Sequence, residues 1–274
     1  MSQNYSQYSE LLEPVKAIAH QAGDAIMEIY QGHYCVEQKS DDSPVTEADY
    51  AAHEVINKAL VELTPGWPVL SEEGEVPDFE QRSQWQRYWL VDPLDGTREF
   101  IKCNGEFTVN IALIENNRSM LGVIQVPVNR DCYSAVTGGG AFFEAGGLNI
   151  EPMQVRQWDG GSITIAGSRS HRMPVFCNFL EFFDDYRVLS LGSSLKSCYV
   201  AQGRADIYAR FGPTSEWDTA AAQCILEEAG GRLTDMSLKP LRYNTKDSLL
   251  NPPFFSFGDP RHDWRDYVPD EHEG

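Results

Sequence analysis

Apolar residues at Leu11, Val15, Ile18, Ala22, Ile26 and Ile29 recur every three or four positions, which is the stripe of an amphipathic helix, and Gly32 supplies its stop. A second helix is predicted from Ala51, Val55, Ile56, Ala59, Leu60 and Leu63, closed by Pro65-Gly66 and opened by Thr46-Glu47-Ala48-Asp49, whose spacing is that of a capping box. The periodicity then changes. Phe107 to Ile114, Leu121 to Val126 and Cys132 to Val136 read as strands joined by short loops, an antiparallel meander. A polar, Gly-containing pause at Val155 to Gly160 follows, after which strands and helices alternate. Strands are expected at Ile163 to Ala166, Val188 to Ser190 and Ala205 to Arg210; helices near Pro174 to Phe183, over Leu195 to Gln202, and over Thr219 to Ala229 with Gly230-Gly231 as its end. The pattern predicts an α+β domain over residues 1–157, an α/β domain over 158–257, and a polar surface tail, open to disorder, over 258–274.

Within this layout the apolar run Tyr88-Trp89-Leu90-Val91 is a buried strand that ends in Asp92-Pro93-Leu94-Asp95-Gly96-Thr97. Pro93 has a fixed φ and no N–H, so an ordinary ladder cannot pass through it and the chain is expected to turn there. Two carboxylates are thereby brought together at a strand's carboxyl end. Such anions repel unless a proton or a cation lies between them, and an all-oxygen set suits magnesium rather than zinc. Asp, Pro and Gly are also ordinary turn residues, so these positions alone leave a metal site and a plain turn both open. Two further segments favour the metal: Val69-Leu70-Ser71-Glu72-Glu73, another short strand ending in carboxylates, and Trp217-Asp218-Thr219-Ala220-Ala221, where Asp218 reads as the N-cap of a helix.

Taken in order, Ser71-Glu72-Glu73, Asp92 to Thr97 and Trp217 to Ala221 resemble the signature set of the inositol monophosphatase superfamily of magnesium-dependent, lithium-sensitive phosphatases, over nearly the whole chain. Arg98 to Lys102, Asn104 to Thr108 and Gly192-Ser193-Ser194-Leu195-Lys196 are similar to its 3'(2'),5'-bisphosphate nucleotidase branch, which belongs to bacterial sulfur metabolism. The resemblance implies a layered αβαβα sandwich, with an antiparallel sheet in the N-terminal half and a mixed sheet in the C-terminal half. It implies that Glu72, Asp92, Asp95, Asp218 and the Leu94 carbonyl hold two or three magnesium ions, and that one metal activates water while another stabilises the leaving oxygen. Thr97 would orient that water and pass its proton to Glu72 or Asp49, with the Gly96 and Thr97 N–H groups, Asp95 and Asp218 around the scissile phosphate. The implied reaction is hydrolysis of adenosine 3',5'-bisphosphate to AMP and phosphate.

Several positions carry two readings. Asp49 is a helix cap, the acidic group that the superfamily's Pro-Val-Thr-x-x-Asp segment places near the metals, or both, since a helix start pointing at the site would do both jobs. The polar loop at residues 39–43 either covers the site, carrying Lys39 to it, or is plain surface. Gly192, Ser193 and Ser194 start a helix and, with Lys196, either seat the nucleotide's second phosphate or sugar, or simply cap the helix. Gly138-Gly139-Gly140 lacks a following helix and a Gly-Lys-Ser/Thr, and reads as a turn rather than a phosphate loop. Ala222 departs from the family, which usually has Gly there, and so bears on the geometry of Asp218.

Composition narrows the partners. With 41 acidic and 22 basic residues the formal net charge is −19, which argues against a nucleic-acid polymer and leaves a small phosphorylated nucleotide, neutralised locally. Six cysteines without a C-x-x-C pair suit reduced thiols of a cytoplasmic protein. The polar N-terminus lacks a signal-peptide layout and no apolar run is long enough for a spanning helix, which leaves peripheral attachment to the inner membrane and the oligomeric state open. The competing activities are those of an inositol monophosphatase or related sugar phosphatase, and, outside catalysis, a phosphonucleotide-sensing protein. A complete set of unpaired carboxylates is costly to keep without metals, which counts against the sensor.

Overall fold

A computed structural model describes residues 2–32, 36–38, 44–168 and 174–267. Lys39 and its loop lie outside the described residues, as does Cys35. Two helices come first: α1 (Ser2–Tyr30), which starts well before the predicted stripe and buries its centre at Val15, Ile18, Ala22 and Ile26, and α2 (Glu47–Leu63). Between them β1 (Val36–Gln38) and β2 (Pro44–Thr46) form a small antiparallel ribbon that leads directly into α2.

A seven-stranded sheet follows, built from β3 (Val69–Ser71), β4 (Arg87–Asp95), β5 (Thr108–Glu115), β6 (Arg118–Val126), β7 (Asp131–Val136), β8 (Gly140–Ala145) and β9 (Asn149–Met153), with neighbours in sequence order. It is the predicted meander extended by β8 and β9, antiparallel throughout except at its edge, where β3 pairs parallel to β4. Short helices α3 (Phe79–Arg82) and α4 (Thr97–Ile101) flank β4.

The second sheet comprises β10 (Ile163–Ser168), β11 (Tyr186–Leu191), β12 (Ile207–Arg210), β13 (Arg232–Asp235) and β14 (Phe254–Phe257), in the order β11-β10-β12-β14-β13. Its pairings are mixed, parallel among β10, β11 and β12 and antiparallel around β14. The helices α5 (Pro174–Leu180), α6 (Leu195–Ala201) and α7 (Glu216–Glu228) belong to this half.

The core clusters define the layers. One unites α1 and α2 with one face of the large sheet, through Val109, Ile111 and Leu113 of β5. A second places α6 and α7 between the sheets, against Ala112 and Ile114 on the opposite face of the same strand. The third lies outside the small sheet, where α5 contributes Phe179. This is the αβαβα sandwich, and alternation along β5 lets one strand serve two seams. No helix among the described residues is long and apolar enough to cross a membrane.

Two expectations need correction. The chain does not turn at Pro93: β4 runs on to Asp95, with Asp92 opposite Asn110 and Asp95 opposite Thr108, so three residue steps on β4 face two on β5. That is a β-bulge, which absorbs the N–H that Pro93 lacks and re-aims the side chains around it. Nor is the segment after Gly258 a surface tail as far as Tyr267. Trp264 is 3% exposed and stacks on Trp158 with ring centroids 6.0 Å apart, while Tyr267 stacks on Phe183 at 4.8 Å. Aromatic burial outweighs the polar composition that suggested disorder.

Candidate metal and phosphate site

Three element ends converge between the sheets. β3 delivers Glu72 just past its last residue, the β4 bulge delivers Asp92 and Asp95, and the first turn of α7 delivers Asp218. Carboxylate oxygens of Glu72, Asp92 and Asp218 all lie within 4.8 Å of one another. Burial, followed by the neighbouring Glu72, Asp95, Asp218 and Asp49, pushes the Asp92 carboxyl well above the usual carboxylate range. Asp218 is pushed the same way, by burial first and then by Asp95 and Glu72. An oxygen-only cluster that must hold protons when nothing else balances its charge has the donor chemistry of a hard divalent cation site.

The helix α7 begins earlier than its apolar pattern implied, and Asp218 is not its N-cap. Ser215 occupies that position, and Asp218, three residues on, accepts the Ser215 N–H on Oδ2 at 2.9 Å. The departure at Ala222 is accommodated in the interleaf core. One residue before it α7 lies close against β6, where a Cβ at Gly122 would stand 2.3 Å from the Ala221 carbonyl oxygen, so the strand is held to glycine there.

Asp49 is both cap and neighbour of the site. Its Oδ2 accepts the Thr46 N–H at 2.8 Å and the Thr46 hydroxyl at 2.7 Å, completing the predicted capping box. Its Oδ1 accepts the Thr97 hydroxyl at 3.1 Å. Gly96, at φ +97°, is a left-handed residue that turns the chain from β4 into α4 and sets Thr97 beside Leu94, whose carbonyl is 3.5 Å from the Thr97 hydroxyl.

The cleft around these residues has a volume of ≈ 450 Å³. Gly192, Ser193, Ser194 and Lys196 line it, but their donors are already engaged. The Gly192 N–H donates to Glu106 Oε2 at 2.8 Å, and the hydroxyls of Ser193 and Ser194 donate to Asp95 Oδ2 at 2.9 and 2.7 Å. At this helix start the Gly192 N–H thus goes to a carboxylate and the Ser194 N–H to Ser193 Oγ at 2.5 Å, and neither serine caps α6 through its side chain. Lys196 is 6% exposed, donates to the Ser193 carbonyl and lies over the Tyr208 ring at 5.4 Å. Burial lowers its pKa to about 8, with Asp95 opposing and Arg210 assisting the shift. Gly138-Gly139-Gly140 is a turn, as read: the Gly138 and Gly140 N–H groups donate to the Glu228 carboxylate at 2.8 and 2.9 Å.

A sequence model of the inositol monophosphatase family matches residues 7–260. The chain belongs to the inositol monophosphatase family. The "3'(2'),5'-bisphosphate nucleotidase CysQ" of Salmonella typhimurium is 50% identical over 246 residues, which is 89% of this chain and 98% of the relative. The protein of the same name from Escherichia coli K12 is 49% identical over the same shares. Among solved structures, CysQ from Bacteroides thetaiotaomicron matches with a TM-score of 0.77 at 41% identity, over 90% of this chain and 97% of that one. An inositol monophosphatase from Thermotoga maritima matches with a TM-score of 0.74 at 25% identity, over 89% and 90%. This member of the inositol monophosphatase family thus has an acidic cluster of the kind a metal-dependent enzyme uses.

Three polar positions at or beside the cleft were given no individual role by the sequence. Arg210 lines the cleft from the end of β12, with Nη2 on the Pro213 carbonyl at 3.0 Å and a buried Nε that has no hydrogen-bond partner. Its place at a strand end was visible, but which strand end reaches the site was not. The other two, Thr108 and Asn110, are polar interruptions of an otherwise apolar strand, and that alternation was the available signal.

Proposed function

We propose that this chain is a magnesium-dependent 3'(2'),5'-bisphosphate nucleotidase that removes the 3' phosphate from adenosine 3',5'-bisphosphate, giving AMP and inorganic phosphate. The observation that carries the reading is one cleft that holds both an oxygen-only acidic cluster and, on its other side, the cations Lys196 and Arg210, with Arg98 also in its lining. A bisphosphate has two anionic groups to place there, and an inositol monophosphate only one. Relatives bearing the nucleotidase name at 49% and 50% identity support the same assignment.

Glu72, Asp92, Asp95, Asp218 and the Leu94 carbonyl are the groups that would hold two or three magnesium ions. Bound there, magnesium supplies a water acidic enough to attack a phosphomonoester and charge compensation for the departing oxygen. The chain's own part is orientation and proton transfer. Thr97, whose hydroxyl is given to Asp49 Oδ1 in this structure, is placed to receive a proton on one side while passing its own to Asp49 on the other. Asp49 is thereby favoured over Glu72 as the base. Gly96 and Thr97 present backbone N–H groups at the start of α4, where the scissile phosphate would rest. Lys196 and Arg210 then take the second phosphate as charge-assisted donors.

The test compares phosphate release from adenosine 3',5'-bisphosphate and from inositol 1-phosphate by the purified protein with magnesium. A strong preference for the bisphosphate, abolished by EDTA and restored by magnesium, is expected. Preference for inositol 1-phosphate would move the chain to inositol monophosphatase activity, and turnover that survives exhaustive chelation would overturn the metal mechanism.

A further inference from the structure

The polar pair on β5 is unexplained by the reaction described so far. Thr108 is fully buried and Asn110 is 1% exposed, on the face that otherwise packs Ala112 and Ile114 against α6 and α7. Polar side chains there cost stability unless hydrogen-bonded, and apolar residues of similar size would serve the packing as well. Their register is specific: Asn110 stands directly across from Asp92, and Thr108 from Asp95, at the two ends of the bulge.

Their hydrogen bonds all lead to Asp95. The Thr108 hydroxyl donates to Asn110 Oδ1 at 2.9 Å, so the Asn110 amide must turn its NH₂ the other way. That NH₂ donates to Ser194 Oγ at 2.9 Å and reaches Asp95 Oδ2 at 3.4 Å. Thr108 Oγ1 is also 2.6 Å from Ser193 Oγ. Ser194 Oγ, filled from behind by Asn110, has its single hydrogen directed at Asp95 Oδ2, at 2.7 Å, or at the Asp218 carbonyl, at 3.0 Å. Donors from Ser194 and Asn110, joined by Ser193 when its single hydrogen is not given to Thr108 Oγ1, thus crowd one oxygen of Asp95, while among the described residues none reaches its Oδ1.

We infer that Asn110, oriented by Thr108, is a positioning residue: acting through Ser194 on Asp95 Oδ2, it keeps the other carboxylate oxygen of Asp95 available to a divalent cation and ties Asp95 to the α7 turn that carries Asp218. The inference rests on the metal reading given above. Removing the amide frees the Asp95 carboxylate to rotate and leaves Ser194 with an unfilled acceptor, so the loss falls on cation affinity rather than on substrate recognition. Groups that orient a metal ligand in this way typically contribute about 10- to 100-fold in affinity.

The experiment is a magnesium titration of the full chain, followed by tryptophan fluorescence and by the metal-induced rise in melting temperature, for wild type, Asn110→Ala, Ser194→Ala and the double variant. Asn110→Ala should weaken magnesium binding by about 10- to 100-fold while KM for adenosine 3',5'-bisphosphate at saturating magnesium stays within about twofold. The double variant should bind no more weakly than the weaker single variant, because both changes break one chain of contacts. Unchanged affinity in Asn110→Ala, or losses that multiply in the double variant, would overturn the inference. If Asn110→Ala does not fold, Thr108→Val, close to it in volume, removes the orienting hydroxyl and is held to the same criteria. A wild-type protein that shows no response to magnesium would instead overturn the metal reading itself.

Discussion

The first turns of α2 and α7 are built alike, and their aspartates meet different surroundings. In each, the third helical residue folds back so that Oδ2 accepts the N–H of the N-cap, Thr46 to Asp49 at 2.8 Å and Ser215 to Asp218 at 2.9 Å. Asp49 is then enclosed by donors, the Thr46 hydroxyl at 2.7 Å and the Thr97 hydroxyl at 3.1 Å. Asp218 instead faces Glu72 and Asp92 within 4.8 Å. A carboxylate surrounded by donors is held in one orientation and polarises the hydroxyl it accepts from; a carboxylate among carboxylates calls for a proton or a cation. The local motif fixes the orientation of the side chain, and the partner brought by the tertiary fold decides the chemistry.

The contrast should be widest in paired neutral substitutions. Asp218→Asn is expected to lower kcat by at least about a thousandfold and to abolish the magnesium-induced rise in melting temperature, since an amide cannot balance a dication. Asp49→Asn should keep that rise. Equal loss of metal-induced stabilisation in the two variants would erase the distinction between them.

Next in size is the hydroxyl between the two motifs. Thr97→Val should lower kcat by about 10²- to 10⁴-fold with magnesium affinity retained, and adding Asp49→Asn should cost little more, because the pair acts as one proton-transfer unit. Single-turnover rates that fall independently for the two changes would separate Thr97 from Asp49.

A smaller effect is expected on the cationic side. Lys196→Ala should lower kcat/KM by about 10- to 100-fold for the bisphosphate and much less for a monophosphate. With its pKa lowered to about 8, Lys196 carries its charge below that value and loses it above. KM for the bisphosphate should therefore rise as pH increases through about 8, and a KM profile in Lys196→Met that keeps this rise would assign it to another group. For stability the sign is opposite: the unfolded lysine holds its proton where the folded one has released it, so this residue's contribution increases between about 8 and the ordinary lysine value of 10.5.

The smallest effect concerns the cap itself. Thr46→Ala removes the hydroxyl that accepts from Ala48 N at 3.2 Å and donates to Asp49, and should cost about 1 kcal/mol of stability in a thermal or denaturant melt. Activity should fall less than in Thr97→Val; a larger fall would mean that the cap, and not Thr97, holds Asp49 in place.

What could be read along the chain was whatever a short stretch decides by itself. The helical stripe from Val15 to Ile26, the capping box at Thr46, the meander and the acids of Asp92 and Asp95 all depend on neighbours within a few residues. The box at Ser215 has the same spacing as the one at Thr46, yet it was passed over because Trp217 and the alanines after Asp218 drew the helix start inward. Other features depend on partners far away in sequence. Whether Pro93 makes a turn or a bulge is settled by pairing with Thr108 and Asn110, and the hydroxyls of Ser193 and Ser194 reach Asp95 because two sheets meet. Trp264 reads as part of a polar tail until Trp158, more than a hundred positions earlier, is found beside it.

The bare position at Gly122 also constrains how this site can change over time. With the Ala221 carbonyl oxygen 2.3 Å from where a methyl would stand, the strand side of the seam between β6 and α7 is closed to any side chain, because the obstacle is helix backbone that no substitution on α7 removes. A lineage that keeps this seam is held to glycine at 122 whatever residue the helix carries at 221 or 222. One position in the middle of a strand is thereby frozen by a neighbour a hundred residues away, and the distance of α7 from the sheet, on which the place of Asp218 depends, is what selection would register if it changed.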